Sequence, residues 1–178
     1  EIDNLYDCII ITKNNKFIGT VSIKDLLEKL TDFKVEEAKN LNPLTNLPGN
    51  RFIKEEIKDR INSPENFSFL YIDLDNFKAY NDCYGYQKGD QVINFTANVL
   101  RDTVAKLGSK DDFIGHIGGD DFVIITDYNK DETLSKDIIE KFKQGITNFF
   151  SDVDLERGYM LLEDKSGAVY KTSLTSLS

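Results

Sequence analysis

The chain has 178 residues, of which 40% are hydrophobic and 30% are charged, as is typical of a globular protein. Its 31 acidic and 22 basic residues give a net charge of −9, which argues against nucleic-acid binding because affinity for polyanions comes from clustered Lys and Arg. The sequence shows no signal peptide, and no apolar run approaches the roughly 18 residues of a membrane span. Its two cysteines are widely spaced. These features favour a cytoplasmic protein without a membrane segment.

The first forty residues predict a hairpin followed by a helix. Residues 8–12 and 17–21 are rich in β-branched and apolar side chains, and Asn14 and Asn15 between them are typical of a turn. Ser22 is the expected N-cap of the helix. Two strands and one helix cannot close a core by themselves. We therefore expect this block to pack against further chain upstream.

Residues 40–50 are expected to separate two domains, because Pro43 and Pro48 interrupt any helix there. Asn50 is the expected cap of the next helix, which should end near Ser63 and Pro64.

The rest of the chain alternates strand and helix patterns. The expected elements are a buried strand at 67–72, a turn at 82–88, a helix at 92–107, strands at 112–117 and 122–126, a helix at 134–150, and a hairpin of 159–162 with 168–174. The face of the last helix that should be buried carries Ile138, Ile139, Phe142 and Ile146. This order predicts an α+β domain with helices on one side of a mostly antiparallel sheet.

Two acidic segments are the strongest candidates for chemistry. Asp73 and Asp75 end an apolar strand, and Asp120 and Asp121 follow two glycines in a hairpin. Carboxylates that converge repel one another, and a hard divalent cation such as Mg²⁺ relieves that repulsion while binding a nucleotide's phosphates. The alternative is structural, because such residues also cap helices and form ordinary turns.

These segments resemble the GGDEF domain of bacterial cyclic di-GMP signalling. The matching motifs, in chain order, are PLTNLP at 43–48, DLDNFKAYND at 73–82, YGYQKGD at 84–90 and GGDDF at 118–122. The resemblance implies a ferredoxin-like, nucleotidyl-cyclase fold similar to the polymerase palm, an antiparallel sheet with helices packed on it. Residues 1–34 resemble the end of a CBS domain, so we expect residues 1–39 to be a CBS fragment with a linker helix and residues 40–178 a GGDEF domain truncated at its C-terminus.

The resemblance also implies roles for individual residues. Mg²⁺ or Mn²⁺ would be bound by Asp73, Asp120 and the carbonyl of Leu74. The catalytic set would be Asp73, Asp120 and Asp121. The nucleotide would be bound by Asn81 and Asp90 at the guanine and by backbone N–H groups of Phe77 and Lys78 at the phosphates.

The family's reaction joins two GTP molecules into cyclic di-GMP, so activity requires a homodimer with one GTP in each domain. Similar proteins carry an upstream CBS domain and often an EAL phosphodiesterase domain in the same chain.

Two motifs depart from the family's pattern at residues that matter for activity and its control. Asp121 replaces a glutamate, and misplacing a group in such a site can cost about 100-fold in rate. Asp112 alone remains of the R-x-x-D inhibitory motif, so we expect no feedback site there. His116 occupies a position where many members carry a basic residue, although an edge-strand polar residue is an equal interpretation. The chain is thus either an active cyclase or a degenerate GTP-binding module that regulates a linked phosphodiesterase, with a purely structural dimerisation domain the weakest interpretation.

Overall fold

A computed structural model describes residues 8–163 and 166–178, and all of their side chains except those of residues 36–39. Contacts within the chain divide it into two compact units, Glu1–Asn40 and Leu41–Ser178. Each unit is described by itself.

The first unit is the predicted hairpin and helix. Strands β1 (Cys8–Lys13) and β2 (Lys16–Ser22) pair antiparallel, and α1 (Ile23–Lys39) follows directly. The turn residues Asn14 and Asn15 have φ values of 52° and 59°, the left-handed backbone that asparagine tolerates best after glycine. Ser22 caps the helix, because its Oγ accepts a hydrogen bond from the N–H of Asp25 across 3.0 Å.

This unit leaves large apolar side chains exposed on its strands and helix. They are Ile9, Ile10, Ile11, Phe17, Ile18, Leu27, Leu30, Phe33 and Val35. Exposed apolar surface of this kind marks an interaction face. It agrees with the expectation that three short elements cannot bury their own apolar residues.

The second unit contains the remaining elements in the order α2-β3-β4-α3-α4-β5-β6-α5-α6-β7-β8-β9. Their bounds are α2 Asn50–Asn62, β3 Phe67–Ile72, β4 Leu74–Asp75, α3 Phe77–Tyr84, α4 Tyr86–Leu107, β5 Phe113–Gly118, β6 Asp121–Asp127, α5 Asp131–Ile146, α6 Asp152–Arg157, β7 Tyr159–Glu163, β8 Val169–Ser173 and β9 Ser176–Leu177. The central sheet has the order β3-β6-β5, while β4 pairs with β9 and β7 pairs with β8. Every one of these ladders is antiparallel, which confirms the α+β prediction.

Helices cover both faces of the central sheet, so the prediction of helices on one side is wrong. On one face Phe122 and Ile124 pack into the main core, which includes residues of α4 and α5. Adjacent strand residues point to opposite faces. A Cβ built on Gly115 would lie 2.5 Å from Ile53 of α2 and 3.0 Å from Val123, so α2 packs on the other face, at β5.

Several boundaries differ from the prediction for local reasons. The expected turn at 82–88 is helical except for Gly85, whose φ of 83° breaks the chain into α3 and α4. Asn50 does not cap α2: the N-cap residue is Gly49, and the Asn50 amide donates to the carbonyl of Ile117 instead. Strand β3 lies at the sheet edge and is only half-buried. Ile139 of α5 is exposed, whereas Ile138, Phe142 and Ile146 are buried as predicted. The short elements α6 and β9 were not anticipated.

His116 is buried and connects two loops of this unit. Its ring stacks on Phe122 with a centroid separation of 4.2 Å, and its Nδ1 lies 2.9 Å from the hydroxyl of Thr45. Its Nε2 lies 3.0 Å from the carbonyl of Gly119, so Nε2 carries a proton, since a carbonyl can only accept. His116 is therefore a polar residue on the edge strand β5, as one of the two interpretations expected, but it is buried and holds residues 43–48 against the β5–β6 hairpin.

No helix in the described part of the chain is long and apolar enough to cross a membrane.

The buried face of α5 gives a first prediction. Phe142 is 1% exposed and Ile139 is 49% exposed, although they lie one helical turn apart. We expect Phe142→Ala to lower the free energy of unfolding by about 3–5 kcal/mol, because it leaves a cavity in the main core. The matched control Ile139→Ala should cost about 1 kcal/mol or less. Equal losses in urea-induced unfolding would contradict this orientation of α5.

The burial of His116 gives a second prediction. Burial lowers its pKa below the usual value, although the Gly119 carbonyl and the charge of Asp121 partly offset this effect. The unfolded chain therefore takes up the proton first, and the stabilisation from neutral His116 is lost as pH falls below about 6.5. Between about pH 7.5 and about pH 5.5, the free energy of unfolding should fall more steeply in the wild type than in His116→Gln.

This histidine is the only one in the sequence, so its ring resonances in NMR report the same pKa directly. Parallel pH profiles for the two proteins, or a ring that titrates like a free imidazole, would show that His116 is not held as described.

Candidate functional site

The register of β3 against β6 brings the two acidic segments together. Tyr71 pairs with Val123 and Ile72 pairs with Phe122, so continuing this register places Asp73 opposite Asp121. Residues opposite one another share a face of the sheet. Asp73, Asp120 and Asp121 therefore meet at the end of the central sheet, and we call these three residues the acidic edge.

The hairpin between β5 and β6 depends on its two glycines. Gly118 pairs with Asp121, which leaves Gly119 and Asp120 as the two turn residues. Gly118 has a φ of 147° and Gly119 a φ of 61°, conformations that side chains rarely adopt. This tight turn places Asp120 next to Asp121 at the end of the sheet.

The acidic edge is electrostatically strained in the absence of a cation. Burial raises the pKa of Asp73, and the neighbouring charges of Asp120 and Asp121 raise it further. The same carboxyl lies within hydrogen-bonding reach of Asp121. Like charges in such positions disfavour the ionised form, which a bound cation would stabilise.

Pairing of β4 with β9 orients the backbone next to these carboxylates. Asp73 and Ser178 exchange both backbone hydrogen bonds, at 3.0 and 3.1 Å. In an antiparallel ladder the next residue turns its backbone groups the other way. The carbonyl of Leu74 therefore points away from β9, toward the side on which the β5–β6 hairpin lies.

The donor set fits a magnesium ion that is shared with a ligand. Within residues 8–163 and 166–178 no group of three or more His, Cys, Asp or Glu side chains could hold a metal ion by itself. Mg²⁺ usually takes one or two carboxylates and fills its other positions with phosphate oxygens and water. Asp73, Asp120 and the Leu74 carbonyl are oxygen donors of the required kind.

Helix α3 begins two residues after Asp75 with free backbone donors. Its N-cap residue is Asn76, at φ 59°, whose side chain makes no capping hydrogen bond. The interpretation of Asp73 and Asp75 as caps is therefore wrong, and Asp75 instead accepts a hydrogen bond from Ser176 Oγ at 2.8 Å. The first N–H groups of a helix have no acceptor within it. Those of Phe77 and Lys78 can therefore bind an anion, while the Phe77 ring is buried and the Lys78 side chain is exposed.

Asn81 and Asp90 are brought near one another by the break at Gly85. The Oδ1 atom of Asn81 is buried without a hydrogen-bond partner. A Cβ built on Gly89 would lie 1.8 Å from that atom, so only glycine leaves room for the amide there. Asp90, the next residue along α4, is exposed. A ligand edge that carries hydrogen-bond donors suits these two groups, because both the unpaired oxygen and the carboxylate are acceptors.

Asp112 is occupied within its own loop. Its two carboxylate oxygens accept hydrogen bonds from the N–H of Ser109 at 2.9 Å and the hydroxyl of Ser109 at 2.7 Å. Both carboxylate oxygens of Asp112 are thus engaged by Ser109. That Asp112 forms no second ligand site stays a prediction.

Three residues near the acidic edge were not assigned a site role from the sequence. Tyr71 donates a hydrogen bond to Asp121, His116 contacts Gly119, and Asn50 contacts Ile117. Tyr71 lies two residues before Asp73 on one strand, so strand alternation could have placed it on the same face. The contacts of His116 and Asn50 join residues far apart in sequence, and no local pattern indicates them.

Comparisons with known proteins identify the family to which this chain is similar. The family described as diguanylate cyclase, GGDEF domain, matches residues 39–168. The signaling protein YkoW of Bacillus subtilis is 31% identical over 134 residues, which cover 70% of this chain and 16% of that protein. A diguanylate cyclase of Vibrio cholerae is 27% identical over 138 residues, which cover 71% of this chain and 41% of that protein.

A solved structure shows the same fold. The crystal structure of diguanylate cyclase SiaD in complex with its activator SiaC from Pseudomonas aeruginosa aligns with a TM-score of 0.56 at 17% identity, covering 87% of this chain and 54% of that one. The fold, the ordered motifs and the family match over most of its length show that the chain belongs to the GGDEF family of diguanylate cyclase domains.

Proposed function

We propose that this chain binds GTP with a divalent cation and joins two GTP molecules into cyclic di-GMP. The observation that carries the proposal is the acidic edge, where three carboxylates converge beside the uncapped start of α3 and where burial, together with Asp120 and Asp121, raises the pKa of Asp73. A cation and a phosphate chain together match these two features, since one needs carboxylates and the other needs N–H donors.

In this proposal Asp73, Asp120 and the Leu74 carbonyl bind Mg²⁺ or Mn²⁺. When bound, the ion neutralises phosphate charge and polarises the α-phosphate for attack by a 3′-hydroxyl. Asp121 lies next to these ligands and is the candidate group for orienting that hydroxyl. Pyrophosphate is the leaving group.

The phosphates would be bound by the N–H groups of Phe77 and Lys78. The guanine would be bound by Asn81 and Asp90, since an amide and a carboxylate answer its acceptor and its donors. The unpaired Oδ1 of Asn81 supports this role, because a buried acceptor without a partner is costly unless a ligand supplies a donor.

Each domain holds one GTP, so the reaction requires two copies of the domain with their acidic edges facing. The Vibrio cholerae relative is named a diguanylate cyclase, and this chain spans less than half of its length. The dimer and the activity of the whole protein are therefore part of the proposal. We also propose that the protein is cytoplasmic.

A second candidate function is a GTP-binding module that does not turn over. The observation that favours it is Asp121, whose side chain is one methylene shorter than the family's glutamate. In that case GTP binding would regulate an EAL phosphodiesterase domain linked to this one.

The first unit has the elements expected of part of a CBS domain. Its hairpin, helix and exposed apolar residues are what the end of a CBS domain would present to its missing part. We propose that residues 1–39 complete a CBS domain and that residues 40–178 form the GGDEF domain.

Binding and turnover separate the two functions. We expect calorimetry to detect binding of GTP with Mg²⁺, and chromatography of the same mixture to detect cyclic di-GMP. Asp73→Ala should lower product formation by about 100-fold or more, since it removes a proposed metal ligand. Asp121→Glu should raise it, by up to about 100-fold. Asp102→Asn, an exposed change on α4, serves as the control.

Binding without product in both the wild type and Asp121→Glu would favour the regulatory module. An absence of GTP binding would contradict both functions and leave a structural domain.

The repulsion at the acidic edge predicts that Asp73 lowers the free energy of unfolding without metal but is needed for stabilisation by Mg²⁺ with GTP. Since the pKa of Asp73 is raised, its charge opposes folding as pH rises through that pKa. Asp73→Asn should therefore raise the free energy of unfolding without metal by about 0.2–1 kcal/mol, the usual size of a cross-strand charge effect. Mg²⁺ with GTP should raise the melting temperature of the wild type but not of Asp73→Asn.

The exposed control Asp102→Asn corrects for the general effect of removing one negative charge from an acidic protein. A metal-free melting temperature for Asp73→Asn below that of this control would contradict the electrostatic explanation.

A further inference from the structure

Tyr71 contacts the acidic edge through its hydroxyl. This hydroxyl donates a hydrogen bond to Oδ1 of Asp121 across 2.7 Å. Continuing the register of β3 and β6 places Asp121 opposite Asp73. Tyr71, Asp121 and the proposed metal ligand Asp73 are thus neighbours at one end of the sheet.

The sheet register explains why a tyrosine makes this contact. Tyr71 is paired with Val123, so it lies diagonally across from Asp121 on the same face. Diagonal neighbours in an antiparallel pair are separated by about 7–8 Å, a distance that aromatic side chains can bridge. The phenol ring supplies the length, and its hydroxyl supplies the donor.

The ring of Tyr71 is not a core element. It is 55% exposed, unlike Ile72 beside it, which is buried. A tyrosine hydroxyl is protonated at neutral pH, so it can donate the hydrogen bond to Asp121. Loss of the hydroxyl alone should therefore leave the fold intact.

We propose that Tyr71 is a positioning residue for Asp121. It holds one carboxylate oxygen of Asp121 so that the second carboxylate oxygen faces Asp73 and the bound cation. Aspartate is shorter than the glutamate of the family pattern, so its carboxylate has to be held in one orientation to act on the same ligand atoms. Tyr71 holds this orientation without touching the nucleotide. This inference rests on the proposed function.

The decisive variant is Tyr71→Phe, which removes the hydroxyl and keeps the ring. We expect it to lower kcat about 10-fold, with a change in KM for GTP of less than about two-fold, because the defect lies in the orientation of Asp121 and not in GTP binding. Tyr128→Phe is the matched control, since Tyr128 is also exposed and follows the opposite end of β6.

A double-mutant cycle tests whether Tyr71 acts through Asp121. If it does, Tyr71→Phe should change kcat by less than about two-fold in an Asp121→Asn background. Equal fold-losses in both backgrounds would show that Tyr71 acts independently. A loss that appears in KM and not in kcat would instead show direct contact with GTP. Either result overturns the proposal.

Cation affinity gives a readout that does not depend on turnover. Electron paramagnetic resonance can measure Mn²⁺ affinity in the presence of a non-hydrolysable GTP analogue. Tyr71→Phe should weaken that affinity about three-fold or more, because the charge of Asp121 is no longer held near the ion. In an Asp121→Asn background, which lacks that charge, Tyr71→Phe should have no such effect.

The outcomes distinguish the two proposals. If neither the wild type nor Tyr71→Phe binds the analogue, the proposed function fails and the positioning role of Tyr71 fails with it. If both bind analogue and Mn²⁺ equally well and have equal, measurable kcat, the proposed function stands but the role of Tyr71 is wrong. If both bind equally well and neither forms product, GTP binding stands, whereas the cyclase activity and the role of Tyr71 both fail.

Discussion

The antiparallel pairing of β3 with β6 is the constraint on which the site depends. These strands are separated by about fifty residues of chain that contain α3, α4 and β5, yet their ladder runs without a shift from Phe67–Asp127 to Ile72–Phe122. A slip of one residue would turn every side chain to the other face of the sheet. The register therefore fixes both the core, through Phe122 and Ile124, and the convergence of Asp73 with Asp121.

The carboxylates of the acidic edge repel one another in this arrangement, and the surrounding structure holds them in place. Phe122 is fully buried directly after Asp121 and anchors the hairpin to the main core. His116 and Asn50 hold the backbone of the same hairpin through the carbonyls of Gly119 and Ile117. A rigid scaffold lets unfavourable charges stay close together, and functional sites are commonly built in this way.

The candidate site combines groups that suit a cation with groups that suit an anion within a short stretch of chain. The end of the sheet carries carboxylates, which suit a cation, and the first turn of α3, only a few residues later, carries free N–H donors, which suit phosphates. The break at Gly85 then turns the chain so that Asn81 and Asp90 come near one another. A nucleotide carries a metal-binding phosphate chain at one end and a base at the other, which is why this succession of elements suits it. In the proposed function, the identity of residue 121 would affect the reacting end of that succession and not the base-binding end.

The family resemblance alone singled out Asn81 and Asp90, and the roles of all the site residues stay predictions. Local patterns were sufficient to predict the hairpin of β1 and β2, the cap at Ser22, most strands and helices, and to single out Asp73 and Asp120 as candidates. They indicate these features because turn residues, alternation and motif spacing act over a few neighbouring positions. Only the tertiary structure decided that α2 covers the second face of the sheet, that Ile139 is exposed, that Gly85 separates two helices, and that His116 is buried between two loops. It also decided the contact of Tyr71 with Asp121, because that contact depends on the strand register. Register is set by the packing of both faces, which involves residues far apart in the chain, and it therefore cannot be read from any single segment.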